Sequence, residues 1–223
     1  MGQPEEISAA RILIVDDHPI VRHGLAQLIN NEPGLEVSGS AATPSEALRA
    51  IEAELPDLAV VDLALGDDSG LELIKQLKTR NPDLKILVIS MHDEVYYADR
   101  VLRAGALGYL MKQEPAEQMI AAIRQVLSGN VYLSDPMAAS LLTRMVGEKH
   151  GDRGSPVDRL TDRELQVLEY IGRGLGTRQI AEKLGLSIKT IENYREHLKT
   201  KLELKNSSEL VRYAVRWEIE GDG

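Results

Sequence analysis

Apolar residues in the first half of the chain gather into short continuous runs, and four of these end in a residue with chemistry. Arg11-Ile-Leu-Ile-Val15 leads into Asp16-Asp17, Leu58-Ala-Val-Val61 into Asp62, Lys85-Ile-Leu-Val-Ile89 into Ser90, and Leu107-Gly-Tyr-Leu-Met111 into Lys112. Runs that are apolar throughout, rather than alternating, predict parallel strands covered on both faces. A further strand is predicted over 35–40. Helical spacing fills the gaps. Val21, Leu25, Leu28 and Ile29 share one face behind Pro19, which suits a first turn. Thr43-Pro-Ser-Glu46 is a capping box ahead of Ala47, Leu48 and Ile51. Asp68 is the expected N-cap of a helix carrying Leu71, Ile74 and Leu77. Another helix covers about 94–104 and stops at Gly105, and Pro115 opens one with Met119, Ile123, Val126 and Leu127. Five β-α units in a row predict a doubly wound, five-stranded parallel sheet of the flavodoxin-like kind over residues 9–130.

The pattern changes after residue 130. Residues 131–156 read as a linker, partly helical. Asp135-Pro136 starts a short helix to about Val146, and the polar, glycine-rich stretch from Gly147 to Pro156 has no period. Residues 157–219 read as a small all-α domain. Thr161-Asp-Arg-Glu164 is a second capping box, before Leu165, Leu168 and Ile171. Thr177 reads as the cap of a short helix with Ile180, Ala181 and Leu184, which Gly185 ends. Ser187 caps a longer helix bearing Ile188, Ile191, Leu198 and Leu202, and Asn206-Ser-Ser-Glu209 starts the last, with Leu210, Val211 and Ala214. Two helices joined by the tight turn at Leu184-Gly-Leu-Ser187 make a helix-turn-helix pattern.

The absence of cysteine from all 223 residues excludes disulfides, thiolate catalysis and sulfur-ligated metals, and suits a reducing compartment. No apolar run reaches the length of a membrane span, and the opening residues lack the basic-then-apolar pattern of an export signal. The expectation is a cytoplasmic protein with no membrane partner. A net charge of −9 argues at first against nucleic acid. Its distribution reverses that inference: residues 159–219 hold 12 Lys and Arg against 9 Asp and Glu, a charge of +3 that leaves −12 for the rest. A DNA-binding segment attached to an acidic domain fits this asymmetry.

If the four runs are parallel strands, Asp16, Asp17, Asp62, Ser90 and Lys112 meet at the carboxyl edge of one sheet, where open α/β folds place their sites. Three carboxylates in one pocket repel unless a cation neutralises them. Mg2+ (or Mn2+) suits such hard oxygens and keeps waters that a phosphate can replace. Asp62 can then attack phosphorus to form an aspartyl phosphate, with Lys112 holding one phosphoryl oxygen by charge and Ser90 donating a hydrogen bond to another. Taken singly, an aspartate at a strand end is as often a turn or cap residue, and a lone serine or lysine there is commonly incidental. The inference rests on five groups at the ends of four strands. Gly70 lets the loop and helix after Asp62 pack closely.

These residues also resemble a family. Val15-Asp-Asp-His, Val61-Asp-Leu-Ala-Leu-Gly-Asp-Asp-Ser-Gly70, Ile89-Ser and Gly105-Ala-Leu-Gly-Tyr-Leu-Met-Lys112 are similar to the receiver domain of bacterial response regulators. The resemblance covers about 9–130. It implies Asp62 as phosphoacceptor, Asp16 and Asp17 as Mg2+ ligands with Asp62 and the backbone carbonyl of Ala64, and Ser90 and Lys112 as phosphoryl contacts. It further implies Tyr109 as the aromatic whose rotamer follows phosphorylation. Gly66 stands where the family usually has proline. Ala64 is small where many members carry a polar side chain, which leaves the lifetime of the phosphoryl group open.

In the second half, Ser187, Lys189, Thr190, Asn193 and Arg195 lie near the start of the candidate reading helix. Asn and Arg are the side chains best matched to adenine and guanine edges. Thr177, Arg178 and Gln179 at a helix start suit phosphate contacts. Glu192 and Glu196 favour a plainer reading, a solvated helix face, and Lys199 and Lys201 read most simply as surface residues. Leu160-Thr-Asp-Arg-Glu-Leu-Gln-Val-Leu168, Gln179-Ile-Ala-Glu-Lys-Leu184, Ser187-Ile-Lys-Thr-Ile-Glu-Asn-Tyr194 and Lys201-Leu resemble the LuxR-type DNA-binding domain of NarL/FixJ-like regulators, over about 157–219. Glu192 replaces a frequent Lys there, and Tyr194 a frequent His. The resemblance implies a last helix that supports dimerisation. Val211, Ala214 and Val215 offer an apolar face for it, although the core is an equal destination.

The resulting expectation is a two-component response regulator, not an enzyme. A cognate sensor histidine kinase would phosphorylate it, and it would bind double-stranded DNA as a homodimer. Two rivals stay open. A phosphatase using Asp62 as nucleophile would want a second carboxylate two residues on, where Ala64 stands. A phosphorylation-independent DNA binder would use the receiver only as an oligomerisation scaffold. His18, His23, His92, His150 and His197 share no metal-ligand spacing and read as surface or loop residues, and Trp217 reads as core.

Overall fold

The computed structural model describes residues 9–66, 68–91, 94–146 and 156–221, so His92, His150 and most of the glycine-rich stretch lie outside it. The chain divides into two compact units, Met1–Thr143 and Arg144–Gly223, and the division falls inside a helix.

The first unit runs β1 (Ala10–Val15), α1 (Pro19–Asn30), β2 (Leu35–Ala41), α2 (Pro44–Ala53), β3 (Leu58–Val61), α3 (Gly70–Arg80), β4 (Lys85–Ser90), α4 (Glu94–Arg103), β5 (Gly108–Met111), α5 (Ala116–Leu127) and α6 (Asp135–Val146). The strands form one parallel sheet in the order β2-β1-β3-β4-β5, the doubly wound arrangement expected. Residues alternate between its faces. Ile12, Ile14, Leu58, Val60, Leu87 and Ile89 pack with Leu25 and Ile29 of α1 and with Ile123 and Val126 of α5. Leu13, Val15, Ala59, Val61, Ile86 and Val88, on the opposite face, are buried as well. Both faces being covered is why the strands read as unbroken apolar runs.

Three local features departed from expectation or escaped it. Ala64–Leu65 and Asp68–Ser69 form a small antiparallel ladder with Leu65 opposite Asp68. Asp68 is thus engaged, and the N-cap of α3 is Ser69, whose hydroxyl accepts from Glu72 N at 3.4 Å. Along β2, Ile12 pairs with Val37 but Leu13 with Gly39, so Ser38 is an extra residue that makes a bulge. Beyond β5, Tyr132 forms a further parallel bridge with Gly108. Its N donates to Leu107 O at 2.9 Å, and its O accepts from Tyr109 N at 3.0 Å.

The second unit follows a short 3-10 turn (Pro156–Arg159) with α7 (Asp162–Gly172), α8 (Thr177–Leu184), α9 (Ile188–Lys201) and α10 (Ser207–Gly221). The expected capping box is formed: Thr161 Oγ1 accepts from Glu164 N at 3.3 Å, and Glu164 Oε2 accepts from Thr161 N at 2.7 Å. The cap of α8 is Gly176 rather than Thr177, because the Gln179 side chain accepts from Gly176 N at 2.8 Å. Ser187 caps α9 as expected, accepting from Thr190 N at 3.0 Å. Leu165, Leu168, Ile171, Ile180, Ile191, Leu198, Leu210, Ala214 and Trp217 are all buried.

Candidate functional site

The strand register assembles the acidic pocket. Val15 lies beside Val61 and Val61 beside Val88, so the residues that follow leave the sheet together. The ladder runs one step past the strands: Asp62 N donates to Val15 O, and Lys112 N to Ser90 O, each at 2.8 Å. Asp16, Asp62 and Ser90 are buried. Lys112 Nζ stands 2.7 Å from Asp16 Oδ2 and 2.6 Å from Asp62 Oδ2. The other oxygens are held by backbone: Asp16 Oδ1 accepts from His18 N at 2.7 Å and Asp62 Oδ1 from Ala64 N at 3.2 Å. Asp17 Oδ1 is buried and accepts no hydrogen bond, although His18 Nδ1 approaches it at 2.6 Å. A ligand atom from each of Asp16, Asp17, His18 and Asp62 falls within a span of 4.8 Å.

The electrostatics follow from this crowding. Burial raises the Asp62 pKa above the ordinary carboxylate value; Lys112 opposes the shift and Asp16 adds to it. Burial works against the Lys112 ammonium, but the charges and hydrogen bonds of Asp62 and Asp16 outweigh it and raise its pKa. Hard oxygen donors within 4.8 Å of one another in a net negative pocket fit a hard divalent cation.

The glycines explain part of the loop. A Cβ on Gly70 would lie 2.6 Å from Leu63 Cα and 2.9 Å from Asp62 C, so only glycine lets α3 begin this close to Asp62. Gly66 has φ +62°, a value that the proline usual in the family does not reach. Tyr109 is fully buried in β5. Two neighbours of the pocket escaped the sequence reading. His18 lacks metal-ligand spacing to the other histidines, yet it lies beside Asp16 and Asp17. Arg22, one turn into α1, donates to Asp16 O at 2.6 Å, a contact to backbone that no residue spacing announces.

On α9 the buried Ile191 and Leu198 define the packed side. Lys189, Asn193, Glu196 and Thr200 form the opposite, exposed stripe, with Glu192 at its margin. Arg195 lies on the packed side, where burial lowers its pKa. The hydroxyls of Ser187 and Thr190 are 2.7 Å apart, both engaged in the cap. At the start of α8, Thr177 is half-buried, Gln179 serves the cap and Arg178 is exposed, paired with Glu182 at 3.2 Å.

Lys199 and Lys201 are not simple surface residues. Lys199 pairs with Glu196 at 2.9 Å and is largely covered. Lys201 Nζ reaches Glu164 Oε2 at 2.6 Å and Arg159 O at 3.2 Å. Burial pushes the Glu164 pKa up, but hydrogen bonds from Lys201 and Thr161 outweigh it and leave the pKa lowered. The last helix divides its apolar residues: Ala214 enters the core, while Val211, Val215 and Ile219 stay exposed beside Arg212 and Arg216.

A parallel sheet with three aspartates and a lysine at its carboxyl edge, followed by a helix-turn-helix unit, defines a response regulator. The response regulator receiver domain family matches residues 12–124, and the luxR family of bacterial regulatory proteins matches residues 158–214. The chain belongs to the response regulators with a LuxR-type DNA-binding domain. It is 39% identical over 213 residues to the oxygen regulatory protein NreC of Staphylococcus haemolyticus, covering 94% of this chain and 98% of that one. The NreC of Staphylococcus carnosus is also 39% identical over the same coverage. Among solved structures, RcsB from Salmonella enterica serovar Typhimurium, bound to promoter rprA in the presence of phosphomimetic BeF3-, matches with TM-score 0.69 and 25% identity over 93% of this chain and 99% of that one. A LuxR-family two-component response regulator from Aurantimonas sp. SI85-9A1 is 35% identical with TM-score 0.58, covering 62% of this chain and 99% of that one. Among the described residues no helix is long and apolar enough to cross a membrane.

Proposed function

We propose that Asp62 accepts a phosphoryl group from a sensor histidine kinase and that this event controls DNA binding by α8 and α9. The observation that carries the proposal is Lys112, whose ammonium bridges buried Asp16 and Asp62 at 2.7 and 2.6 Å. A carboxylate oxygen of Asp62 attacks phosphorus; the bond from phosphorus to the donor nitrogen breaks as the bond to Asp62 forms. Lys112 then exchanges its contact with the Asp62 carboxylate for a phosphoryl oxygen, and the Ser90 hydroxyl donates to another. Asp16, Asp17, Asp62 and the Ala64 carbonyl would hold Mg2+, which when bound supplies positive charge against the phosphoryl oxygens. Added charge in the pocket biases Ser90 and Tyr109 between two arrangements, a population shift read on the α4–β5–α5 face.

In the second unit Lys189 and Asn193 face the groove and reach base edges, while Thr177 and Arg178 contact phosphate. The exposed face of α10 joins two copies, which read half-sites about one helical turn apart or a multiple. The RcsB neighbour, solved on promoter DNA with a phosphomimetic, supports this reading. Ala64 supplies no second carboxylate for phosphate-ester turnover, which favours a stoichiometric acceptor over an enzyme. Acetyl phosphate with Mg2+ should add one phosphoryl mass to the wild type and none to Asp62→Asn, and should tighten DNA binding of the wild type alone. An Asp62→Asn chain that binds promoter DNA as tightly as the phosphorylated wild type would refute the mechanism.

A further inference from the structure

The exit from the receiver unit uses a buried carboxylate that the chemistry above leaves idle. Glu94, the first residue of α4, is 8% exposed. Its Oε1 accepts from the backbone N of Ser134 at 3.0 Å. Ser134 immediately precedes α6 and caps it: its carbonyl accepts from Ala138 N at 2.9 Å, and its hydroxyl from Met137 N at 3.2 Å. Met137, in the first turn of α6, is buried. Two residues earlier, Tyr132 is hydrogen-bonded to Leu107 and Tyr109 of the β5 segment.

The stretch 132–134 is therefore fastened at three points. One is the backbone of Tyr109, the candidate switch residue. Another is the side chain that opens α4, four residues after Ser90. A buried carboxylate and a part-buried backbone N–H lose more by separation than a fully exposed pair would, so the starts of α4 and α6 are tied to one another. The bond is also directional, and a shift of about 1 Å at either end takes it outside hydrogen-bonding range.

We propose that Glu94 is a positioning residue that couples the state of the acidic pocket to α6, and so to the chain leading into the DNA-binding unit. Its carboxylate holds the α6 cap in one register when the pocket is unphosphorylated. A rearrangement of the α4 start on phosphorylation releases or resets that cap. The proposal rests on the assignment of Asp62 as phosphoacceptor.

Two measurements on the full chain test it. Hydrogen exchange of amides 132–142 should be roughly ten- to hundredfold faster in Glu94→Ala than in wild type, and near wild type in Glu94→Gln, which keeps an acceptor oxygen. The ratio of DNA affinities with and without acetyl phosphate should fall by about fivefold or more in Glu94→Ala, with phosphoryl uptake at Asp62 unchanged. Unaltered exchange in Glu94→Ala overturns the positional role. Faster exchange with an unaltered affinity ratio overturns the coupling. A wild type whose affinity ignores phosphorylation would instead overturn the parent reading and the coupling with it, while exchange would still decide whether Glu94 holds the linker.

Discussion

Replacing Gly70 with alanine should disable the phosphoacceptor without touching it chemically. The added methyl would sit 2.6 Å from Leu63 Cα and 2.9 Å from Asp62 C, and closer still to the Asp62 carbonyl oxygen. Non-bonded carbons rest about 3.5–4.0 Å apart, so relief needs roughly 1 Å of movement. Every neighbour is backbone, and no rotamer change absorbs it. Gly70 N also donates to Leu63 O at 2.9 Å, so the start of α3 cannot withdraw without breaking that bond. Overpacking of this kind costs about 1–3 kcal/mol of stability. A reacting group displaced by 1 Å loses on the order of a hundredfold in rate. Phosphoryl uptake from acetyl phosphate, followed by mass, should slow by about that factor, and the urea midpoint should fall. Gly24→Ala is the control: Gly24 lies within α1 with nothing inside 4 Å of the new Cβ, and should stabilise by about 0.5–1 kcal/mol. Uptake and urea midpoint in Gly70→Ala equal to wild type would refute the close-approach argument.

Lys112→Met leaves Asp16 and Asp62 buried without their shared cation, and should cost about 3–5 kcal/mol at neutral pH, a loss that added Mg2+ partly restores in urea titrations. Glu164 has a lowered pKa, so its contribution is present above its unfolded value of about 4.3 and is lost as pH falls through the folded value. The stability difference between wild type and Glu164→Gln should therefore be full at pH 7 and shrink progressively as pH falls below the unfolded value. The lone, buried Trp217 reports it by fluorescence. Asn193→Ala should relax base discrimination by about 1–3 kcal/mol at one position in competition gel shifts, whereas Arg195→Ala should mainly lower thermal stability.

The receiver sheet was legible because β1, β3, β4 and β5 are largely buried on both faces and so announce themselves as apolar runs ending in a polar residue, whereas the edge strand β2 alternates buried and exposed residues. Asp16, Asp62, Ser90 and Lys112 could be placed at one edge because parallel register follows from the βαβ rule. The capping box at Thr161 was legible because its partners are three residues apart. The Asp68–Ser69 ladder was not, since two residues carry no period, and it decides which side chain caps α3. Gly176 took the place of Thr177 because Gln179 supplies the hydrogen bond from within the helix. Lys201 and Glu164 are 37 residues apart, and only the packing of α9 on α7 makes them a pair. Tyr132 and Glu94 were invisible for the same reason: their bonds are tertiary, and neither lies in a patterned strand.

Tyr132 has a second consequence. An open sheet leaves a row of unpaired donors and acceptors along each outer strand, ready to recruit another chain. At one rim of this sheet the exit segment occupies positions beside Gly108 and Tyr109; at the other the Ser38 bulge interrupts the row. The stretch that leads away from the receiver thus shields it from stacking into fibrous assemblies. A fragment truncated ahead of Val131 would present a bare β5 margin, and self-association of that fragment follows from the same geometry.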